Sequence, residues 1–301
     1  MMENASDDPE IVSHRVSRTF VADFAELVKA RLTLLVLVTT SVGYYMGAPS
    51  GVSYVGMLQA FVGTALAAAG AAALNQWWER SADALMHRTQ SRPIPSGRMQ
   101  SRTGLILGLA LSISGVVYLY QTCNPPSAAL AALTVLIYLL AYTPLKKIST
   151  TNTLVGAIPG ALPPMIGWAA TGRGIDLGAW SLFAIIFFWQ LPHFFAISWM
   201  YRDDYVRGGF RMISNDDKTG ERSASQSVFF CMMLLIVAGL PTFIRIASFT
   251  YLGAELILGC VFIVMAMRFL RTRTRGDARL LFLTSIIYLP LLLAALVLSK
   301  T

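Results

Sequence analysis

The sequence predicts an all-α membrane protein with about nine transmembrane helices in one bundle enclosing a central cavity, its N-terminus cytoplasmic and its C-terminus on the opposite side. Three observations carry this expectation. The 301 residues are 55% hydrophobic and only 13% charged, with a mean hydropathy of +0.59, too apolar for a water-soluble domain of this size. Apolar windows of roughly 20 residues, the length that crosses a hydrocarbon core of about 30 Å, recur along almost the whole chain. The basic residues are sharply segregated: with the N-terminus inside, every one of the 24 Lys and Arg except Arg173, Arg245 and Lys300 falls on cytoplasmic segments.

Taken in order, residues 1–29 read as a polar cytoplasmic arm, lacking the short apolar run and small-residue cleavage site of a signal peptide. Residues 30–301 read as a single transmembrane domain, since no linker is long enough to separate two. Its nine windows lie near 32–48, 52–75, 104–121, 127–143, 153–170, 179–200, 226–246, 251–268 and 279–298. They lack strand-like alternation, and lipid offers no partner to an exposed backbone, so each is expected as a helix. Cys123, Cys231 and Cys260 are odd in number and embedded in apolar runs, which excludes a disulfide scaffold. The net charge of +8 orients helices in a bilayer and does not point to nucleic acid.

The two longest cytoplasmic connections, 76–103 and 201–225, hold the unusual clusters. In the first, Asn75-Gln-Trp-Trp-Glu79-Arg-Ser-Ala-Asp83, the spacing of four puts Asn75, Glu79 and Asp83 along one side of a helix, drifting about 40° per step. Such an oxygen set suits Mg²⁺, which takes one or two carboxylates and completes its shell with water and phosphate oxygens. Arg88 and Arg92 come next, placed to supply the positive charge a diphosphate needs. Charges that only mark where a helix leaves lipid are the plain structural alternative.

The second cluster lies at and beyond the end of the sixth window: Trp189-Gln-Leu-Pro-His193-Phe, then Tyr201-Arg202-Asp203-Asp204-Tyr205. The second and sixth helices run the same way and deliver acids and arginines to the same face, hinting at a duplicated four-helix unit around one site. Paired acidic clusters would hold more than one Mg²⁺ and neutralise a diphosphate leaving group. His193 lies inside the sixth helix, where an ionisable group is costly; contact with a porphyrin or its iron and hydrogen-bonded packing are both open. Trp77 and Trp78 read as an interfacial aromatic belt, and the run from Asn152 to Pro164 as a helix interrupted where it lines a cavity. Gly156 and Gly160 fit a close helix contact, and Lys146 with Tyr142 and Thr143 a polar, substrate-facing patch.

These motifs resemble the UbiA-type intramembrane prenyltransferases, and within them the protohaem IX farnesyltransferase branch. The likeness runs from Lys29-Ala-Arg-Leu-Thr through Asn75-Gln-x-x-Glu79-Arg-x-x-Asp83-Ala-Leu-Met-x-Arg88-Thr-x-x-Arg92-Pro-x-Pro-Ser-Gly-Arg98. It continues with Tyr142-Thr-Pro-Leu-Lys146, Asn152-Thr-x-x-Gly-x-x-Pro-Gly-Ala-Leu-Pro-Pro, Trp189-Gln-x-Pro-His193-Phe and Tyr201-Arg-Asp-Asp-Tyr205. The resemblance implies that farnesyl diphosphate alkylates a vinyl group of haem B, with water captured, to give haem O. Carried over by position, Asn75, Glu79 and Asp83 are the first Mg²⁺ and diphosphate ligands, and Asp204, with Asp203 beside it, serves the second site. Arg88, Arg92, Lys146 and Arg202 fall on the diphosphate, and His193, Trp189 and Tyr201 on the haem, which is a substrate and not a cofactor.

The chain departs from the family pattern at Gly208, where a carboxylate four residues after Asp204 is usual, and at Arg211, where a proline is expected before Met212. Asp216 and Asp217 are further carboxylates that could complete the second site. The resemblance also implies a bacterial inner-membrane protein with its active site toward the cytoplasm, and a haem A synthase or oxidase-assembly protein as a downstream partner. Two rivals remain on the residues alone. One is a prenyltransferase of the same fold acting on a quinone precursor or another tetrapyrrole; the other is a secondary transporter, which would place its charges near the bilayer midplane. The topology has its own test: a cysteine introduced by Arg98→Cys is expected to react with impermeant thiol reagents only from the cytoplasmic side.

Overall fold

The computed structural model describes residues 19–49 and 51–301, and among these every regular element is a helix. Of the expected arm, residues 1–18 lie outside the described residues. Its last part is helix α1 (Phe20–Leu27), capped by the Thr19 side chain and docked on the bundle through the fully buried Leu27. The chain then enters α2 (Ala30–Gly47), α3 (Tyr54–Asp83), α4 (Ser101–Thr122), α5 (Pro125–Leu145), α6 (Asn152–Ala170) and α7 (Leu177–Met200). Two short helices, α8 (Arg202–Arg207) and α9 (Ile213–Asp216), precede α10 (Glu221–Phe243), α11 (Phe249–Thr272) and α12 (Arg275–Leu298).

Eight of these, α3 to α7 and α10 to α12, are long and apolar enough to cross a membrane, against the nine expected. The difference is α2, only 18 residues and about 27 Å long, whose Arg31 and six hydroxyl residues dilute its apolar character. It nevertheless runs from the charged end of the bundle to the other. Lys29, at its start, meets Asn75, while Ala48, just past its end, meets Lys300.

Small residues hold the helices close. A Cβ placed on Gly115 would come within 2.4 Å of the Ala67 backbone, and one on Gly167 within 1.9 Å of the Thr40 carbonyl oxygen, so α3 meets α4, and α2 meets α6, backbone to backbone. Helix α6 is broken after Ala161, where Pro163 and Pro164 restart it, as the sequence leads one to expect. Gln190 of α7 donates to the Ala157 carbonyl in the Pro159-containing half of α6, at 2.6 Å.

Helix α3 sets the geometry of the site. Thirty residues make it about 45 Å long, well beyond the hydrocarbon thickness, so its last turns stand clear of the apolar core while remaining helical. The expected connection 76–103 therefore starts only at Ala84. The 84–100 segment is turn-rich and is tied back by Arg98, which bonds Asp23 at 2.8 Å and Glu26 at 3.1 Å.

At the opposite end the C-terminus closes the bundle. Lys300 donates from Nζ to the carbonyls of Tyr45, at 2.6 Å, and Ala48, at 2.7 Å, and lies over the Tyr45 ring. These are the free carbonyls at the end of α2, where a cation also favours the helix dipole. Lys300→Ala is expected to cost about 1–3 kcal/mol, read as a fall of a few degrees in the unfolding midpoint in detergent.

Candidate active site

The carboxylate stripe of α3 is buried and engaged by cations from three separate parts of the chain. Asn75, 1% exposed, accepts from Lys29 Nζ at 2.9 Å and donates to Thr143 at 3.2 Å. Glu79 holds Lys146 through both oxygens, at 2.8 and 3.1 Å. Asp83, also 1% exposed, pairs with Arg92 at 2.7 Å. An unpaired carboxylate at this depth would be strongly disfavoured, so each anion brings its own cation. Lys146 stays a cation there: burial opposes its charge, but Glu79, Tyr142 and Tyr138 raise its affinity for the proton by more.

Local backbone departures aim these groups. The end of α5 contains a π-helical stretch, Ile137–Tyr142, whose wider turn shifts the register of the next residues and brings Thr143 and Lys146 toward α3. Lys146 Nζ lies 4.5 Å above the Tyr142 ring, itself tilted against Tyr138. Gly156 is where α6 accepts that ring, since a Cβ there would fall 2.5 Å from it. Lys29 adopts a left-handed conformation with φ 50°, uncommon for a residue with a side chain, and so turns its ammonium inward between α1 and α2. Burial, with Arg92 and Lys146 nearby, pushes its pKa down to about 7.

Lys29 is the site residue that sequence reasoning missed. It reads as one orientation charge among many; its signal is that it opens the Lys29-Ala-Arg-Leu-Thr stretch of the family likeness, directly before α2. Thr143 is likewise recruited, by its bond to Asn75.

The second cluster divides. Asp204 is buried and reaches the first: it accepts from the backbone N–H groups of His87 at 3.3 Å and Arg88 at 3.4 Å, and pairs with Arg207. Burial would raise its pKa, but hydrogen bonds from Arg207 and His87 outweigh this and hold it low. Asp203, expected beside it, points away. It is exposed and pairs with Arg275 at 2.5 Å and Arg202 at 3.7 Å, because adjacent residues on a helix face different directions. Arg202 turns outward with it and covers the Trp199 ring at 4.6 Å.

Asp217 does not complete a second site either: both its oxygens cap α10, accepting from Gly220 N and Ser223 N, while Asp216 is exposed. Arg88 sits at the rim with Tyr201 and Tyr205, its guanidinium 5.3 and 5.7 Å from their rings. Trp189 and His193 form a separate wall against α12. Trp189 donates to the Ser285 carbonyl at 2.8 Å and stacks on His193, which contacts Ser285 Oγ at 2.7 Å and Phe282.

The donor set fits a hard divalent cation. It consists of oxygens, and Asp83 Oδ1 is buried without a hydrogen-bond partner, leaving a free ligand atom. Among the described residues no three His, Cys, Asp or Glu side chains converge to hold a metal by themselves. A Mg²⁺ ion would need water and phosphate oxygens for the rest of its shell. Lys29, Lys146 and Arg92 are paired with α3 here and would be freed to bind phosphate oxygens if its carboxylates took a metal ion.

A helical membrane bundle with an oxygen-donor stripe and a cation cluster at one face defines a class: intramembrane proteins that handle a metal-bound polyanion beside lipid. The UbiA prenyltransferase family model matches residues 36–292. The protoheme IX farnesyltransferase of Solibacter usitatus is 41% identical over 287 residues, covering 92% of this chain and 98% of the relative. That of Myxococcus xanthus is 40% identical, covering 94% and 96%. Among solved structures, digeranylgeranylglyceryl phosphate synthase superposes with a TM-score of 0.77 at 18% identity, over 93% of this chain and 98% of the other. A UbiA homolog from Archaeoglobus fulgidus bound to GPP and Mg²⁺ does so with a TM-score of 0.64 at 12% identity, over 91% and 99%. The chain belongs to the UbiA prenyltransferase family.

Glu79→Gln and Asp83→Asn are each expected to lower prenyl transfer by about 100-fold or more with helix content unchanged by circular dichroism. Asp203→Asn, whose carboxylate faces Arg275, is expected to stay within about twofold of the parent rate.

Proposed function

We propose that this chain transfers the farnesyl group of farnesyl diphosphate, with addition of water, to a vinyl group of haem B, giving haem O and diphosphate. The observation that carries the reading is the buried stripe of Asn75, Glu79 and Asp83, with its partners Lys29, Lys146 and Arg92. The Solibacter and Myxococcus relatives support the choice of prenyl donor and acceptor.

In the reaction the C1–O bond of the allylic diphosphate breaks and diphosphate leaves with the electron pair. The vinyl π electrons form the new carbon–carbon bond, water adds to the carbocation left beside the porphyrin ring, and one proton is released. Mg²⁺, held by Asn75, Glu79 and Asp83 with Asp204 as a further carboxylate, supplies charge neutralisation to the leaving group when bound. The chain's own cations do the same work from the other side: Lys29, Lys146 and Arg92 face the position of the diphosphate, and Arg88 guards the rim. The rings of Tyr138 and Tyr142 give the allylic cation a polarisable surface, and the apolar helices keep bulk water from quenching it.

Trp189, His193 and Phe282 offer a flat, largely apolar wall suited to a porphyrin. The substrates are lipid-soluble, so the site belongs in the bacterial inner membrane, with its charged face toward the cytoplasm and the next haem-modifying step in the same bilayer. The transporter alternative is disfavoured because the acidic stripe and its partner cations gather at the end of α3.

Protein in lipid nanodiscs, given farnesyl diphosphate, haem B and Mg²⁺, is expected to form haem O, resolved by chromatography and mass. EDTA should abolish the product and added Mg²⁺ restore it. Unchanged haem B alongside prenylation of a quinone precursor would overturn the acceptor.

A further inference from the structure

On α12, Ser285 is fully buried, and its hydroxyl has two close neighbours: the Phe282 carbonyl oxygen at 2.6 Å and His193 Nδ1 at 2.7 Å. A hydroxyl has one proton to give. If that proton went to Nδ1, Ser285 Oγ and the Phe282 carbonyl would face each other as two bare acceptors at 2.6 Å, a repulsive contact. If it goes to Phe282, Oγ is free to accept from Nδ1–H and both contacts become hydrogen bonds. The geometry therefore selects one imidazole tautomer, Nδ1–H, and leaves the lone pair on Nε2.

The rest of the wall fixes the ring in that pose. His193 stacks on Trp189, with centroids 5.3 Å apart, and lies tilted against Phe282, at 4.9 Å. Trp189 donates to the Ser285 carbonyl, so α7 and α12 are tied at one residue by two side chains. Among the described residues nothing hydrogen-bonds Nε2, and that atom is not sealed in the interior.

We propose that Ser285 is a positioning residue for the acceptor, holding His193 as the Nδ1–H tautomer so that its bare Nε2 is presented as a ligand to the iron of the incoming porphyrin. This rests on the proposed haem acceptor for the identity of the ligand, but the tautomer stands apart from it. A partner on the far ring nitrogen that fixes orientation and raises donor strength is the usual support of a metal-binding histidine.

The test begins without haem. The chain has three histidines, so ¹⁵N-histidine labelling gives few signals, and His193→Gln identifies the one in question. The wild type is expected to show His193 protonated at Nδ1, with Ser285→Thr retaining that tautomer and Ser285→Ala losing it. An Nε2–H signal in the wild type, or no change in Ser285→Ala, would overturn the assignment.

Haem B is then titrated alone into the same proteins. The expected result is an imidazole-ligated ferric absorption spectrum, weakened about 10–100-fold in affinity in Ser285→Ala, recovered in Ser285→Thr and lost in His193→Gln. Affinity for magnesium diphosphate should not move in any of them. A haem spectrum unaltered in His193→Gln would overturn the iron-ligand role. Wild type that forms no haem O would overturn the acceptor reading and the iron role together, with the tautomer still judged by the nitrogen spectrum.

Discussion

The arrangement rests on a single electrostatic constraint: three oxygen-bearing side chains on one side of a helix, buried at the edge of a membrane, must each be compensated. Asn75, Glu79 and Asp83 cannot sit there at 1 to 5% exposure unless donors come to them, and water is largely excluded. Each partner arrives by a local irregularity. Lys29 needs a left-handed turn between two helices, Lys146 comes just after a π-helical stretch, and Arg92 belongs to a turn-rich segment pinned at Arg98. Strain and irregular backbone thus collect at the place where the charges meet.

The same constraint separates two kinds of chemistry. In the proposed reading the charge-dense α3 end would handle the polar leaving group, while the α7–α12 wall, aromatic and carrying one histidine, would face a flat apolar acceptor. The two ends that look alike in sequence are not alike in space. Helix α3 turns Asn75, Glu79 and Asp83 inward, whereas of the carboxylates just past α7 Asp204 faces the first cluster, accepting from the amides of His87 and Arg88. Asp203 is spent on Arg275 at the start of α12. The site is therefore asymmetric, although the two segments carry similar residues.

The expectation of a helical membrane bundle was legible because lipid leaves the backbone almost no choice: a long apolar run must hydrogen-bond to itself. The first motif was legible for a related reason, since a spacing of four fixes a shared face on any helix. Less legible was whatever depended on a partner distant in sequence. Lys29 meets Asn75 across 46 residues and Ser285 meets His193 across 92, and no spacing rule reaches that far. The count of spans differed at α2, where polar residues inside a short helix weaken the hydropathy signal while packing against α3 and α6 keeps the helix in place.

The sequence by itself determined the solvent of this protein, its helical class, the stripe on α3 and the family motifs, because each is set by composition or by periodicity within one element. Tertiary structure alone decided which charges work together. It brought Lys29 into the site, turned Asp203 and Arg202 out of it, spent Asp217 on a helix cap and gave His193 its serine. The physical reason is that a charge or a hydrogen bond takes its meaning from its partner, and partners are assigned only when helices pack.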